Sequence, residues 1–344
     1  MKNWVLHILY IGIATLMLAS CTQDELLPMP DANKMQVVFT LALGDSSPRS
    51  RATSSWEQNE GGADSTIGDE LDNEIGLNQL QVVLYNNDNT FLGKVNNLQY
   101  YQTEQANVYQ FVGNLSMNTQ QELNCKIMVF ANLHKNNIIS EDTVLPQLNF
   151  PYDSRYIPMW GVSSINVTVT PGKQTILEKP IYLLRAMAKV EVTLDDKLAT
   201  DGYSLENVIL ENYNTLGYCL PQGYSTASST EKLDTESVFN LYPSSSEKGQ
   251  TLNFGQNEDK SYTLYVPEYQ NVGANNTASC MKVTINGKVY KLDFKYYDTG
   301  YTFDLIRNHY YQFNIKSIVP DGIEGQLYYN VVDWDREKID IGFN

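Results

Sequence analysis

Few residues of this chain could do chemistry. Its 344 residues include four cysteines and three histidines, and the histidines are His7, His134 and His309. The sequence contains no CxxC pair, no GxSxG elbow, no HExxH helix and no glycine-rich phosphate loop. We therefore expect neither an enzyme nor a metal site, assign no catalytic residue and expect no cofactor.

Cys21 is the cysteine with the most informative surroundings. It follows Leu18-Ala19-Ser20, which closes the apolar run of residues 5–18. That run is short for a transmembrane helix and fits a secretory signal. Because its small-residue ending in cysteine is similar to a bacterial lipobox, we expect removal of residues 1–20 and acylation of Cys21. An ordinary signal peptide with a chance cysteine is the alternative.

Composition limits the partners and the sources of stability. The net charge is −16 and the pI is about 4.6, so binding to nucleic acid by phosphate neutralisation is implausible. Without Cys21 the chain keeps Cys125, Cys219 and Cys280, enough for at most one disulfide. Since 42% of the residues are hydrophobic, we expect stability to come from an apolar core.

A polar tract, residues 44–74, is rich in Gly, Ser, Asp, Glu and Asn. Arg49 and Arg51 lie near its start, in a composition where proteases cut readily. We expect cleavage after Arg51 or, as the second choice, after Arg49. The alternative is that both arginines only serve surface solubility.

The segment before this tract has the alternation of a strand with one deeply buried face. Its odd positions are all apolar: Met35, Val37, Phe39, Leu41 and Leu43. Cleavage at the arginines would detach this strand from the rest of the chain. The alternative is the first strand of a stable sandwich.

The rest of the chain is a series of short strand patterns between turn residues. Predicted strands of the first half are residues 80–85, 91–95, 109–115, 125–131, 165–170 and 174–184. Those of the second half are residues 188–194, 208–212, 252–254, 262–266, 281–285, 288–294, 310–315 and 326–334. Asn286-Gly287 predicts a hairpin, and residues 216–250 predict a long connection. This spacing is typical of antiparallel β-sandwiches, with a domain boundary near 183–187.

A second alternating segment, residues 338–344, carries Ile339, Ile341 and Phe343 on one side. We expect it to act as a donor strand that fills a groove left by the removed first strand. The alternative is an ordinary closing strand of the second domain.

Seven tracts together carry a resemblance to the fimbrillin superfamily of Bacteroidota, the subunits of type V pili. They are the signal ending at Cys21, Cys125-Lys-Ile-Met-Val-Phe-Ala-Asn132, Ile157-Pro-Met-Trp-Gly161, Leu184-Arg-Ala-Met-Ala-Lys-Val190, Leu264-Tyr-Val-Pro-Glu268, Arg307-Asn-His-Tyr-Tyr311 and Val331-Val-Asp-Trp334. Each tract is short, but their order and spacing match over nearly the whole chain.

The resemblance implies two tandem transthyretin-like antiparallel β-sandwich domains in an all-β chain. It implies a lipoprotein signal (1–20), a propeptide with the removable strand (21–51), an N-terminal domain (52–184) and a C-terminal domain with the donor strand (185–344). It also implies polymerisation by donor-strand exchange after proteolysis.

The expected partners are other pilin subunits of the same or another kind, and the outer membrane through the lipid of the precursor. The expected location is the outer membrane, the cell surface and the fimbrium. Two alternatives are a pilus tip adhesin and a monomeric surface lipoprotein that binds a glycan or another host or bacterial ligand. A third, of another class, is an enzyme whose active site uses Asp/Glu pairs.

Overall fold

The computed structural model describes residues 33–43, 75–103, 108–117, 123–133, 137–151, 157–167, 172–220, 251–295, 300–307, 310–319 and 326–330. Within these ranges the chain is mainly β-strand, with a single five-residue α-helix, α1 (Asp196–Thr200), and three 3₁₀ turns. The predicted all-β fold is confirmed. Among the same residues no helix has the length and hydropathy that a membrane span needs.

The described strands of the first half are β1 (Gln36–Leu43), β2 (Gln81–Tyr85), β3 (Phe91–Gln102), β4 (Val108–Met117), β5 (Leu123–Ala131), β6 (Asn149–Pro151), β7 (Met159–Val167), β8 (Gln174–Ile176) and β9 (Ile181–Arg185). Eight of them form one sheet in the order β4-β3-β2-β5-β7-β9-β1-β8, and β1 pairs with β4 as well. Because β1 pairs with β4, it connects the β8–β9 end of the sheet to the β4 end.

The described strands of the second half are β10 (Met187–Leu194), β11 (Leu205–Glu211), β12 (Leu216–Tyr218), β13 (Thr251–Asn253), β14 (Gly255–Gln256), β15 (Tyr262–Pro267), β16 (Cys280–Ile285), β17 (Lys288–Asp293), β18 (Tyr310–Val319) and β19 (Gln326–Asn330). They form sheets of order β14-β15-β10-β18-β19 and β13-β11-β16-β17, while β12 pairs with β6. The predicted hairpin joins β16 to β17, and Asn286 and Gly287 both have positive φ, 48° and 74°, as the tight hairpin turn requires.

The buried apolar side chains form two clusters, as expected when strands bury one face each. The first cluster contains residues between Val37 and Met187, together with Cys219 and Leu220. The second contains residues between Ala188 and Ile315. The division of the chain into the four predicted segments stays a prediction.

Three local predictions were wrong. Residues 174–184 are two strands, β8 and β9, and the break contains Pro180, which has no N–H for a ladder. The strand predicted at 165–170 is β7, which already begins at Met159. The predicted connection 216–250 begins with β12, which pairs with β6. The sheets are also not purely antiparallel, because β1 pairs in parallel with β8 and β9, and β10 with β18.

Candidate functional site

β1 lies between two other parts of its sheet. On one side it pairs antiparallel with β4 over seven residues, from Gln36 to Ala42. On the other side it pairs in parallel, first with β8 over Gln36 to Val38 and then with β9 over Leu41 to Leu43. We call the space that β1 fills between these two edges the β1 groove. Within the described strands, β1 alone joins the β4 edge to the β8–β9 edge.

Backbone hydrogen bonds continue on both sides beyond the ends of the ladder. Leu115 N donates to the Met35 carbonyl at 2.8 Å, and Gly172 N donates to the Lys34 carbonyl at 2.9 Å. Leu177 N donates to the Val38 carbonyl, also at 2.9 Å. A strand satisfied on both edges has the pairing of a central strand, so its loss would leave two rows of unpaired N–H and C=O groups.

The inner face of β1 is part of the first cluster. Val37, Phe39 and Leu41 are each 0% exposed, and Met35 packs against the cluster while half-buried. The Phe39 ring stacks on Phe111 of β4, with 5.5 Å between ring centroids and 11° between planes. Leu43 ends the strand, and its side chain is outside the described part of the structure.

The opposite face of β1 is buried as well, which the alternation alone did not predict. Val38 and Ala42 are each 1% exposed, and they lie opposite Val112 and Val108 of β4. These two sites therefore exclude water, as the inner sites do. On this face of β1, Gln36 precedes Val38 and Thr40 lies between Val38 and Ala42, and both of these polar residues are partly exposed.

The polar position at Gln36 is held by amides on both flanking strands. Gln36 Nε2 donates to Asn114 Oδ1 at 3.4 Å on β4. Gln174 Nε2 on β8 donates to Gln36 Oε1 at 3.3 Å. One polar side chain at this position can therefore be bound from both walls of the groove.

The other predicted site residues lie outside the described residues. They are Cys21, Arg49, Arg51, Ile339, Ile341 and Phe343. His134 and His309 are outside them too. The predicted apolar face of β1 lies between the strands β4, β8 and β9. The roles of the other residues in lipidation, cleavage and strand donation stay predictions.

The three cysteines of the described residues are free and buried. Burial raises the pKa of the Cys125 thiol to about 11 and that of Cys219 to about 12, and it also raises the pKa of Cys280. These thiols are therefore protonated at neutral pH and poor nucleophiles. Among the described residues no three acidic, cysteine or histidine side chains cluster as a metal site would require.

Sequence reasoning missed a buried ion pair that joins the two clusters. Arg307 Nη2 lies 2.7 Å from Glu268 Oε2, and the two side chains are 1% and 2% exposed. The same guanidinium donates to the carbonyls of Tyr218, Cys219 and Leu220 at 3.2 to 3.3 Å. Both charged residues stand in tracts that carried the family resemblance, but nothing in the tracts indicated that they meet.

The segment that Arg307 binds, residues 218–220, packs partly in the first cluster. Cys219 and Leu220 are members of that cluster, and Cys219 N donates to the Leu148 carbonyl at 2.8 Å. Gly217 lies against the Phe150 ring so closely that a Cβ at this position would be 2.1 Å from a ring carbon. This junction therefore depends on a glycine, a buried ring and a buried ion pair.

Comparison with known proteins gives a match at the level of structure. No protein-family model and no curated protein matches the chain. The tip fimbrial protein Mfa3 from Porphyromonas gingivalis, crystallised with a C-terminal truncation, aligns with a TM-score of 0.51 and 14% identity, over 88% of this chain and 100% of that one. The fold of this chain is therefore similar to that of a fimbrial protein.

A second solved structure has a similar fold. A putative cell adhesion protein from Parabacteroides distasonis aligns with a TM-score of 0.51 and 16% identity, over 88% of this chain and 98% of that one. The resemblance predicted from the sequence is thus confirmed for the fold. At these identities the alignments assign no role to any residue of this chain, so its function must be argued from the β1 groove.

Proposed function

We propose that this protein is a structural pilus subunit, exported as a lipoprotein and activated by cleavage after Arg51 or Arg49. Cleavage releases β1, and a donor strand of a neighbouring subunit fills the β1 groove. The observation that carries this proposal is the position of β1: it is buried on both faces, paired on both edges, and followed by the arginine-bearing tract.

The physical argument is that the emptied groove is unstable in water. Each large apolar side chain that returns to such a site contributes about 1.5–3 kcal/mol. Each ladder hydrogen bond adds about 1 kcal/mol. Several side chains and two edges together can exceed the entropy cost of association, so an inserted strand would dissociate very slowly.

The lipid at Cys21 gives the precursor its place on the outer membrane, since several acyl chains bury enough methylenes to anchor a protein firmly. The propeptide of residues 21–51 connects that anchor to the folded part, so cleavage frees the subunit for assembly at the cell surface. The pilus then supports adhesion. Its partners are other pilin subunits, and catalysis has no part in this function.

The test is controlled cleavage. Trypsin treatment of the purified precursor should convert a monomer into polymers visible by size-exclusion chromatography and electron microscopy. The Arg49→Ala, Arg51→Ala double variant should stay monomeric under the same treatment and form no surface fibres in cells. Fibres of normal length from that variant would contradict activation at these arginines, as would a cleaved wild-type chain that stays monomeric.

A tip subunit is the second candidate, because a tip fimbrial protein is among the solved structures similar to this chain. A tip subunit accepts a donor strand without giving one. If the cleaved protein binds a synthetic peptide of residues 338–344 but forms no polymer, this candidate replaces the stalk subunit. A monomeric ligand-binding lipoprotein would do neither.

A further inference from the structure

The two walls of the β1 groove differ in how they are held in the sheet. β4 pairs with β1 on one edge and with β3 on the other, over eight residue pairs that run from Gly93 opposite Met117 to Gln102 opposite Tyr109. Phe111 of β4 is also a member of the first cluster. When β1 leaves, the β4 wall therefore keeps one hydrogen-bonded edge and its inward packing.

The opposite wall begins with a segment that is hydrogen-bonded to β1. We call residues 172–177, which contain β8, the strap. Gly172 N donates to the Lys34 carbonyl at 2.9 Å. Leu177 N donates to the Val38 carbonyl, also at 2.9 Å. β8 lies at the end of the described sheet, and the described strand that pairs with it is β1. Departure of β1 therefore removes the ladder that joins the strap to the sheet.

The side chains of the strap are divided between core and solvent. Thr175 is 6% exposed, and Leu177 is partly buried against the first cluster. Ile176, between them, is 58% exposed. In β9, the continuation of this wall, Ile181 and Leu183 are 1% and 2% exposed. Packing therefore anchors β9 more firmly than it anchors the strap.

Residues 178–180 lie between the strap and β9, where the wall is interrupted. Pro180 has no N–H to donate, so the ladder cannot run through it unbroken. Beyond this break β9 continues to Leu184 and Arg185, which pair with β7. The β9 end of the wall is thus joined to the sheet independently of β1, and residues 178–180 can act as a hinge for the strap.

We propose that the strap leaves the sheet when β1 leaves and closes again along the strand that replaces it. This inference rests on the proposed function and adds that the groove opens sideways. An incoming strand pairs first with β4, the wall that stays, and the strap then adds the ladder on the second edge. A groove with two fixed walls would instead have to be threaded from one end. Local opening of this kind is expected where a segment has few buried contacts and its backbone hydrogen bonds are lost.

Hydrogen exchange of the strap amides tests this opening. Gly172 N and Leu177 N lose their acceptors when β1 leaves. In the cleaved chain at low concentration, where polymerisation is slow, both amides should exchange at least about 100-fold faster than in the precursor. Their protection should return in the polymer. β5 is the internal control, because it pairs with β2 and β7 on its two edges and should stay protected throughout.

Trypsin gives an independent measurement, because Lys173 is an exposed residue within the strap. Cleavage there requires the backbone to open locally. A short trypsin pulse should cut after Lys173 in the chain that has lost β1, but not in the polymer. The Arg49→Ala, Arg51→Ala variant keeps β1 attached and should resist this cut. Lys173→Gln, a change of an exposed side chain, should remove the cut and so identifies its product.

Mass spectrometry of the cleaved chain shows whether β1 is still bound, which separates two kinds of failure. Equal exchange of the strap amides in the precursor and in the chain without β1 would overturn the strap while leaving the proposed function intact. Equal cutting after Lys173 in the wild type and in the double arginine variant would do the same. If β1 stays bound after cleavage, the release of β1 in the proposed function is contradicted, and this inference with it.

Discussion

β1 and β10 hold the same position in the two halves of the molecule but differ in how they are attached. Each pairs antiparallel on one edge, with β4 or β15, and in parallel on the other, with β8 and β9 or β18. Each gives three fully buried side chains to its cluster; in β10 these are Ala188, Val190 and Val192, all 0% exposed. Position in the sheet therefore does not distinguish an exchangeable strand from a permanent one.

The attachment of β10 is short at both ends. Only Ala186 separates it from β9, and Ala186 N donates to the Pro158 carbonyl at 2.8 Å. At its other end Asp195 N donates to the Ile315 carbonyl at 3.0 Å, and α1 follows directly. β1 instead precedes the long polar tract that holds both arginines. The predicted release of β1 therefore depends on its covalent connection to the rest of the chain and not on its strand pairing.

The outer faces differ in chemistry too. At the centre of β10, Lys189 is 4% exposed and its ammonium lies 5.6 Å and 5.1 Å from the ring centroids of Tyr265 and Tyr310. Such a cation–π arrangement is specific to one lysine position. The buried outer sites of β1 hold Val38 and Ala42, which an apolar substitute strand can match, and the polar contact on this face lies at the partly exposed Gln36. The β1 groove is therefore the easier one to refill.

The largest expected effect comes from removing the proposed substitute for β1. Deleting residues 338–344 should leave a folded, lipidated and cleavable subunit that forms no polymer, because its neighbour's groove stays empty. Electron microscopy and native gels after cleavage measure this. The precursor's urea unfolding should match the wild type, which separates loss of donation from misfolding. Normal fibres from the truncated chain would mean that the segment only closes its own domain.

Next in size is a matched pair of core truncations, Phe39→Ala in β1 and Phe313→Ala in β18. Both rings are 0% exposed, and each has a ring partner at 5.5 Å. Each change should lower the free energy of unfolding of the precursor by about 3–5 kcal/mol. In polymers of the cleaved subunit only Phe313→Ala should still lower stability, because the polymer no longer contains β1 and therefore no longer contains Phe39.

Resistance of the two polymers to dissociation in urea or detergent gives the measurement. Wild-type resistance for Phe39→Ala and reduced resistance for Phe313→Ala is the expected result. If Phe39→Ala weakens the assembled polymer as well, β1 remains in place and the two strands do not differ in fate.

Removing the buried ion pair at the junction between the clusters should lower the free energy of unfolding by a similar or smaller amount. Arg307→Met leaves the Glu268 carboxylate buried without its cation, and breaking a buried pair in this way costs about 3–5 kcal/mol. Lys282→Met is the control: its ammonium is 2.5 Å from Glu211 Oε1 but 48% exposed, so solvent screens the pair and the loss of stability should be much smaller than for Arg307→Met. Urea unfolding of the precursor compares them, and equal losses would contradict a structural role for the junction.

Much of the fold could be predicted because it is local. The alternation of β1, the Asn286-Gly287 hairpin and most strand positions depend on neighbouring residues, and periodicity reports these well. The burial of Val38 and Ala42 could not be predicted in this way, because a period of two reports one face at a time. The partners of β1 come from β4 and from the region of Gln174, far along the chain.

The ion pair between Glu268 and Arg307 could not be predicted from the sequence for a related reason. Glu268 and Arg307 are separated by 39 positions, and each alone is typical of a charged surface residue. Only the tertiary structure desolvates both and brings them to the carbonyls of residues 218–220. Likewise, the closeness of Gly217 to the Phe150 ring requires two strands from different halves of the chain.

The smallest effect is a change in thiol reactivity that follows the departure of β1. Cys125 belongs to the cluster that β1 covers, and burial raises its pKa to about 11 from the usual 9.0. At pH 8 a thiol of pKa about 11 is ionised to about one part in a thousand, against about one in ten for a pKa of 9. If release of β1 hydrates this cluster, labelling of Cys125 should accelerate by up to about 100-fold.

Cys280 provides the internal control, because it lies on β16, in the half of the chain that keeps all its strands. Its labelling should not change on cleavage. Mass spectrometry of peptides from protein pulse-labelled at pH 8, before cleavage, just after it and after polymerisation, follows both thiols. Cys125 should become reactive and then protected again as a donor strand refills the groove. Equal labelling at all three stages would show that β1 does not leave the first cluster, and the difference between β1 and β10 would then be one of connection alone.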